Sequence, residues 1–398
     1  MNNSKCPILT VTALILLTFS PITASEQEQW LSYRSSREAE QIVGDMSSQF
    51  KELSSDKPQG AELPDFKSNR PFFTEWPSPM VKGGRLLIAL DNTHTYGPHN
   101  LLYIDTNADG NLKDQTALEA YSSDEYYSYF GPVKIVFEGE DGPITYHLNF
   151  RCYTNPNNVN SYLYIYSGGW YEGMIEVEGQ KLFCTLIDYN VNGIFNDKSL
   201  SSGSTDRIRI SKLKDERNTK YVGKYFDLYG ELYEIDIAKD GAFIKLKKAE
   251  DVKYGQIQLQ KTITKFLAGG ENGLFEIKLD DNGLGKLPVG KYRINIWEIE
   301  QKDQTGATWK LEARGYNSSS DFSVTENAKT ELAAGEPIIA PMTVTKSSGN
   351  EYPVRLSLAG RMGESLYLYR NNVLPSQPKL YIKSLDGSYD KTFALEYG

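Results

Sequence analysis

The sequence predicts a mainly β chain, built as tandem β-sandwich or small-barrel domains with one N-terminal helix. Three observations carry this. Apolar runs of four to eight residues recur at short spacing, each bounded by Gly, Pro, Asn or Asp. Asp240 and Gly241 separate the alternating run 233–237 from the run 242–246, and a two-residue type I′ turn needs positive φ at both central positions, so these runs form a hairpin. Only the stretch 35–53 repeats its apolar residues at steps of three and four.

That stretch places Ala39, Ile42, Val43, Met46, Phe50 and Leu53 on one helical face, and Ser35 with Glu38 reads as a capping box at its start. Residues 54–79 carry five prolines and little periodicity, so 25–79 reads as a helix followed by an extended connector anchored by Phe66, Phe72, Phe73 and Trp76. A β domain spans 80–211, with strands at 85–90, 101–104 and 131–137. In its next strand Ile144, Tyr146, Leu148 and Phe150 alternate with Thr145, His147, Asn149 and Arg151, the pattern of a sheet with one face buried. Strands at 162–166, 173–177 and 181–187 continue the series. The hairpin segment occupies 212–253. A further β domain covers 254–346, with strands at 274–279, 291–298, 308–313 and 321–324, and a last β unit covers 347–398, with strands at 354–358, 379–382 and 392–395.

Residues 1–24 have the layout of a secretory signal peptide: Lys5, an apolar core from Ile8 to Phe19, and small residues ending at Ala24. The apolar core is shorter than the roughly 20 residues a spanning helix needs. The expectation is an exported protein, periplasmic, cell-surface or extracellular, and not membrane-spanning. Its formal charge of −9, with no basic tract, argues against nucleic acid as a partner and favours cations. A length of 398 residues exceeds what one core serves, since domains cluster near about 100–150 residues. Beyond the leader the cysteines are Cys152 and Cys184, which form either a disulfide or two small buried apolar groups.

Two loops stand out for chemistry. The apolar run 101–104 ends in Asp105, Asn107 and Asp109, then Gly110, Asn111, Leu112 and Asp114. A weaker copy follows 181–187: Asp188, Asn190, Asn192, Gly193, Phe195 and Asp197. Oxygen-bearing side chains at alternate positions before a Gly turn suit a hard cation, and calcium is the natural candidate. The Asp105 loop resembles the calcium loop of EF-hands and dockerins, with Asp105, Asn107 and Asp109 in the first, third and fifth places, Gly110 at the turn and Asn111 in the backbone-carbonyl place. It departs from them at the closing place, which is Thr116. The expectation is that Asp114 or Glu119 completes the shell. In the second loop Ser199 stands at the closing place, and fewer charges imply weaker binding. The plain alternative is a pair of Asx-rich turns.

Other constellations are thinner. His94 and His99 near Asp91 are drawn as a zinc site only without a familiar ligand spacing, and His147 sits on the polar face of its strand. Tyrosine is abundant, 27 residues, clustered at 121–129, 162–171 and 367–369. The cluster 124–129 with Trp170 and Tyr171 is the candidate face for stacking sugar rings, since tyrosine combines an apolar body with a polar tip. The adjacent acidic pairs Asp124 and Glu125, or Asp280 and Asp281, carry no sign of the separation glycoside hydrolysis requires.

The run Leu287-Pro288-Val289-Gly290-Lys291-Tyr292, followed by Phe322-Ser323-Val324 and Leu332 to Pro337, resembles the prealbumin-like or Cna-B-type sandwich modules of bacterial exported proteins. The resemblance implies spacers, stalks or adhesion modules and points to architecture, not catalysis. Together these readings lead to an exported calcium-binding β protein acting as a cell-surface or periplasmic binding or scaffold protein, its calcium structural. The alternative is a carbohydrate-binding or carbohydrate-active protein that uses the tyrosine-rich face, with a glycan or a cell-surface protein as its partner.

Overall fold

A computed structural model describes residues 27–94, 97–139, 142–154, 161–349 and 351–397. Residues 1–24, expected to be a signal peptide, lie outside the described residues. Half the chain is strand and 3% is helix, arranged in several antiparallel sheets. Among the described residues no sheet closes into a barrel, so the small-barrel expectation gives way to open, stacked sheets.

The helix is shorter than its periodicity implied. It runs over Ala39–Val43 and stops at Gly44, where φ is 70° and the following Asp45 is also left-handed. Ser48–Glu52, inside the expected helix, is instead a strand paired with Tyr162–Ser167. Pairing with an otherwise open sheet edge overrides the local helical pattern. Phe50 consequently stays half exposed, whereas Ala39 and Val43 are buried against Trp170 and Ile187.

Four sheets surround one core that draws on residues from Leu31 to Ile244. The first runs Phe72–Pro77, Arg85–Asp91, Leu101–Ile104, Leu118–Glu119. The second, here the tyrosine sheet, runs Ser48–Glu52, Tyr162–Ser167, Gly142–Tyr153, Tyr127–Gly139, Ser122–Ser123. The third runs Lys220–Tyr221, Arg207–Ser211, Gln180–Ile187, Gly169–Val177, Ser32–Ser35. The fourth pairs Gln29–Trp30 with the 225–248 strands, so the hairpin around Asp240 and Gly241 shares this core through Ile235, Ile237 and Ile244. The strand Arg85–Asp91 is buried at every position but Arg85, because its second face carries a smaller core of Phe73, Leu87, Ala89, Leu101, Tyr103 and Leu112. Phe66 packs edge-on against Phe73 and Tyr103 there, but Phe72, Phe73 and Trp76, expected in an extended connector, belong to the strand Phe72–Pro77, paired in the first sheet.

A second core, centred on Phe266, Tyr292, Trp297 and Ile257, lies between a three-stranded sheet and a six-stranded sheet. The turn at Val289 carries the chain from Leu284–Pro288 in the smaller sheet to Gly290–Lys302 in the larger one. Two short hairpins, Met342–Val344 with Val354–Leu356 and Lys379–Lys383 with Asp390–Ala394, follow with mostly exposed residues. No helix among the described residues is long and apolar enough to cross a membrane. Cys152 and Cys184 are free thiols buried in the first core, not a disulfide.

Candidate metal centre

Both Asp-rich loops begin where a buried strand leaves the core, Leu101–Ile104 in one case and Gln180–Ile187 in the other. Their backbones are the same. The fourth residue is left-handed in each, Ala108 at φ 55° and Val191 at φ 58°, and the sixth is the glycine, Gly110 at 82° and Gly193 at 89°. The first carboxylate accepts the backbone N–H groups of the fifth and sixth residues. These distances are 3.2 and 2.9 Å at Asp105, and 3.2 and 2.7 Å at Asp188. The fifth side chain caps the seventh N–H at 2.8 Å in both, Asp109 to Asn111 and Asn192 to Ile194. The apolar eighth residues, Leu112 and Phe195, are buried and pull the loop onto the core.

The remaining positions differ. In the first loop Asn107 Nδ2 donates to Asp109 Oδ2 at 3.0 Å, Asn111 Oδ1 caps Lys113, and Asp114 Oδ1 accepts from Gln115. Glu119 lies opposite Leu101, at the far end of the strand from Asp105, and is not brought to the loop. In the second loop the third, fifth and tenth side chains converge: Asn190 Nδ2 and Asn192 Nδ2 both donate to Asp197 Oδ2, at 2.8 and 2.6 Å. Asn190 Oδ1 is shielded from water and has no hydrogen-bond partner. An amide reverses its oxygen and nitrogen by a half-turn, so these side chains can direct oxygens to the point their nitrogens now occupy. Among the described residues no group of three or more His, Cys, Asp or Glu side chains converges at metal-holding distance, so amide and backbone oxygens would have to supply part of any shell.

Burial sets the electrostatics. Asp105 is 2% exposed, and loss of water pushes its carboxyl above the ordinary range against the pull of the loop N–H groups. Asp188 is fully buried. Desolvation raises it to about 7, although the Tyr146 hydroxyl at 2.8 Å and the loop N–H groups favour its ionised form. Asp206 lies in the same buried region and is raised well above its usual value, first by burial and then by the charge of Asp188. It ties the loop together, accepting the N–H of Tyr189 at 3.0 Å and of Asp197 at 2.8 Å. No family model matches the chain, nor does any curated protein or solved structure.

Neither Tyr146 nor Asp206 was legible as a partner of the loop: one sits 42 residues before Asp188 and the other just ahead of the strand Arg207–Ser211, with no spacing signal between them. Gln49 is a third such residue. Its amide donates to the carbonyls of Asn190 and Val191, and it lines an open cleft of about 490 Å³ with Pro77, Ser78, Asn190 and Asn192. The Val191 carbonyl also accepts Trp76 Nε1 at 2.7 Å, so two donors hold a β-branched residue in a backbone region it seldom occupies.

The other candidates are accounted for locally. Asp91 accepts the N–H groups of Lys67 and Ser68 and the Ser68 hydroxyl, and His99 Nε2 lies 2.8 Å from the Arg70 carbonyl. His94 is exposed, so His94, His99 and Asp91 form no common site. His147 Nδ1 lies 3.3 Å from the Tyr33 hydroxyl, and burial lowers the affinity of its ring for a proton. Asp124 and Asp280 cap the turns that follow them. Trp170 and Tyr171 are buried, which removes them from the face expected to stack on sugars.

Proposed function

We propose that the protein is an exported calcium-binding β protein, a binding or scaffold protein of the cell surface or periplasm, in which calcium braces the first set of sheets. The observation that carries this reading is the shared backbone of the two loops: one left-handed residue, one glycine and one capping carboxylate at matching places after a buried strand. Turns that only reverse the chain have no need of the same frame from the first to the eighth residue twice, nor of a left-handed valine. Asp105 and Asp188 organise the frames. Asn107, Asp109, Asp114 and the Asn111 carbonyl in the first loop, and Asn190, Asn192 and Asp197 in the second, would supply oxygens to the ion. Calcium there offsets the cost of ionising a buried carboxylate and makes loop order depend on the external ion supply.

The residues around Leu287 to Tyr292 support reading the second core as a prealbumin-like, Cna-B-type spacer, because the motif forms the corner at which the chain crosses between the two sheets of that unit. A second reading, carbohydrate binding, is supported by the half-exposed tyrosines of the tyrosine sheet.

The test is calcium titration by calorimetry on chelator-treated full-length protein, alongside melting in calcium and in chelator. Asp114→Asn and Asp197→Asn keep side-chain size while removing charge. Binding with a Kd of about 10⁻⁴ to 10⁻³ M, a calcium-dependent rise in Tm, and loss of part of that rise in each variant are expected. Equal melting of the parent in both buffers, with no heat of binding, refutes the calcium assignment. Asp105→Ala is a poor probe, because it also removes the acceptor for two loop N–H groups.

A further inference from the structure

The strand Gly142–Tyr153 turns Leu148, Phe150 and Cys152 into the core and leaves Asn149, Arg151 and Tyr153 on the outer face of the tyrosine sheet. Its neighbours do the same. Tyr162, Tyr164 and Tyr166 alternate with buried Leu163 and Ile165, and Tyr127 and Tyr129 flank buried Ser128. Register then sets the rings side by side. Tyr153 lies between Tyr162 and Tyr127, and Arg151 between Tyr164 and Tyr129, with Phe50 beyond Tyr164. Ring centroids are 4.9 Å apart for Phe50 and Tyr162, 5.9 Å for Tyr162 and Tyr153, and 5.2 Å for Tyr153 and Tyr127. The result is a continuous aromatic plate four strands wide, about 14 Å at the usual strand spacing.

The plate carries two guanidinium groups, with the carboxylates of Glu38, Glu40 and Glu52 at its margin. The Arg151 guanidinium lies 4.6 Å from the Tyr164 ring, 5.5 Å from Tyr127 and 5.7 Å from Tyr166. At the far edge Arg37 lies 4.5 Å from Tyr121 and donates to the Gly131 carbonyl. Among the described residues neither guanidinium has a carboxylate within ion-pair distance, although Glu52 lies opposite Tyr162 at the margin. Arg151 Nε is shielded from water and has no hydrogen-bond partner. Cation–π contacts leave a guanidinium its positive field, which a planar carboxylate matches.

We propose that this plate docks a carboxylate-bearing polysaccharide, with sugar rings lying on the tyrosines and carboxylates directed to Arg151 and Arg37. This deepens the carbohydrate-binding reading and rests on it; it does not rest on calcium. A half-exposed face of rings with hydroxyl tips suits sugar rings with hydroxyl rims. An acidic peptide, by contrast, gains its affinity from side-chain pockets or a free strand edge, and an open sheet face supplies neither.

The experiment is affinity electrophoresis of the full chain in calcium-depleted gels containing polygalacturonate, dextran or polyglutamate. Retardation by polygalacturonate at least roughly tenfold stronger than by dextran is expected. Tyr164→Ala and Phe50→Ala each weaken it by roughly tenfold, the loss of about one stacked ring. Arg151→Gln removes the preference for the acidic polymer. Tyr381→Ala, an exposed tyrosine on a remote hairpin, leaves retardation unchanged, and Phe50, being half exposed, can be replaced without opening the core. Equal, tyrosine-dependent affinity for polygalacturonate and dextran overturns the anionic ligand but keeps carbohydrate binding. No affinity for either overturns both. Equal retardation by polyglutamate, or indifference to Tyr164→Ala and Phe50→Ala, also overturns the proposal.

Discussion

The Tyr146 hydroxyl donates to Asp188 Oδ2 at 2.8 Å, joining the centre of the tyrosine sheet to the first residue of the second loop where water does not reach. Tyr146 also stacks on Trp76, whose indole N–H holds the Val191 carbonyl of the same loop. Sheet and loop are therefore one packed unit.

Tyr146→Phe keeps the ring in its stack and removes one donor from a buried carboxylate. Urea unfolding should show a loss of about 1–3 kcal/mol. The loss should be present in chelator, where no bound ion offsets the missing donor.

The pH dependence follows from Asp188. Its folded pKa is raised by burial to about 7, above the unfolded value of about 3.9, so between these values the folded state holds the extra proton. Stability therefore falls as pH rises through that window, and Asp206, raised for the same reason, acts with the same sign. Melting in calcium-free buffer should be lower at about pH 7.5 than at about pH 5, a difference that Asp188→Asn should reduce.

The paired glycines offer a differential test. Gly110 and Gly193 both have positive φ, so alanine at either strains the backbone by about 1–2 kcal/mol. A Cβ at Gly110 meets open space, whereas one at Gly193 comes within 3.2 Å of the Phe137 ring and Ser78 Oγ. Thermal unfolding should show Gly193→Ala as the more destabilised variant.

Cys184 is pushed up to about 12 by burial and Cys152 is raised further by the same cause, so neither supplies thiolate at neutral pH. Neither should react with a maleimide or an aromatic disulfide in native protein. Both should titrate, without reductant, in guanidinium chloride, as a disulfide would not.

Much of the architecture was legible because strands report themselves locally. Leu101–Ile104 and Asp321–Val324 fall where the apolar runs and turn residues place them, and the expected hairpin joins Glu231–Ile237 to Phe243–Lys248, but through a longer loop than a type I′ turn, since Gly241 has a positive φ and Asp240 does not. Residues 48–52 did not report themselves. Ser-Gln-Phe-Lys-Glu carries one apolar residue and no strand alternation of its own, and the open edge of Tyr162–Ser167 makes it a strand. Likewise Trp170 and Tyr171 look like surface aromatics in sequence and are buried by the helix and by Phe195.

A mainly β chain, two Asp-Asn-Gly loops in matching places and a surplus of tyrosine can all be read along the chain, because each depends on neighbours within about ten residues. What those features meet is set in three dimensions: Tyr146 and Asp206 around Asp188, and Tyr127, Tyr164 and Tyr166 around Arg151. Cross-strand register sets these meetings, and register is fixed by which faces the cores bury, not by any spacing along the chain.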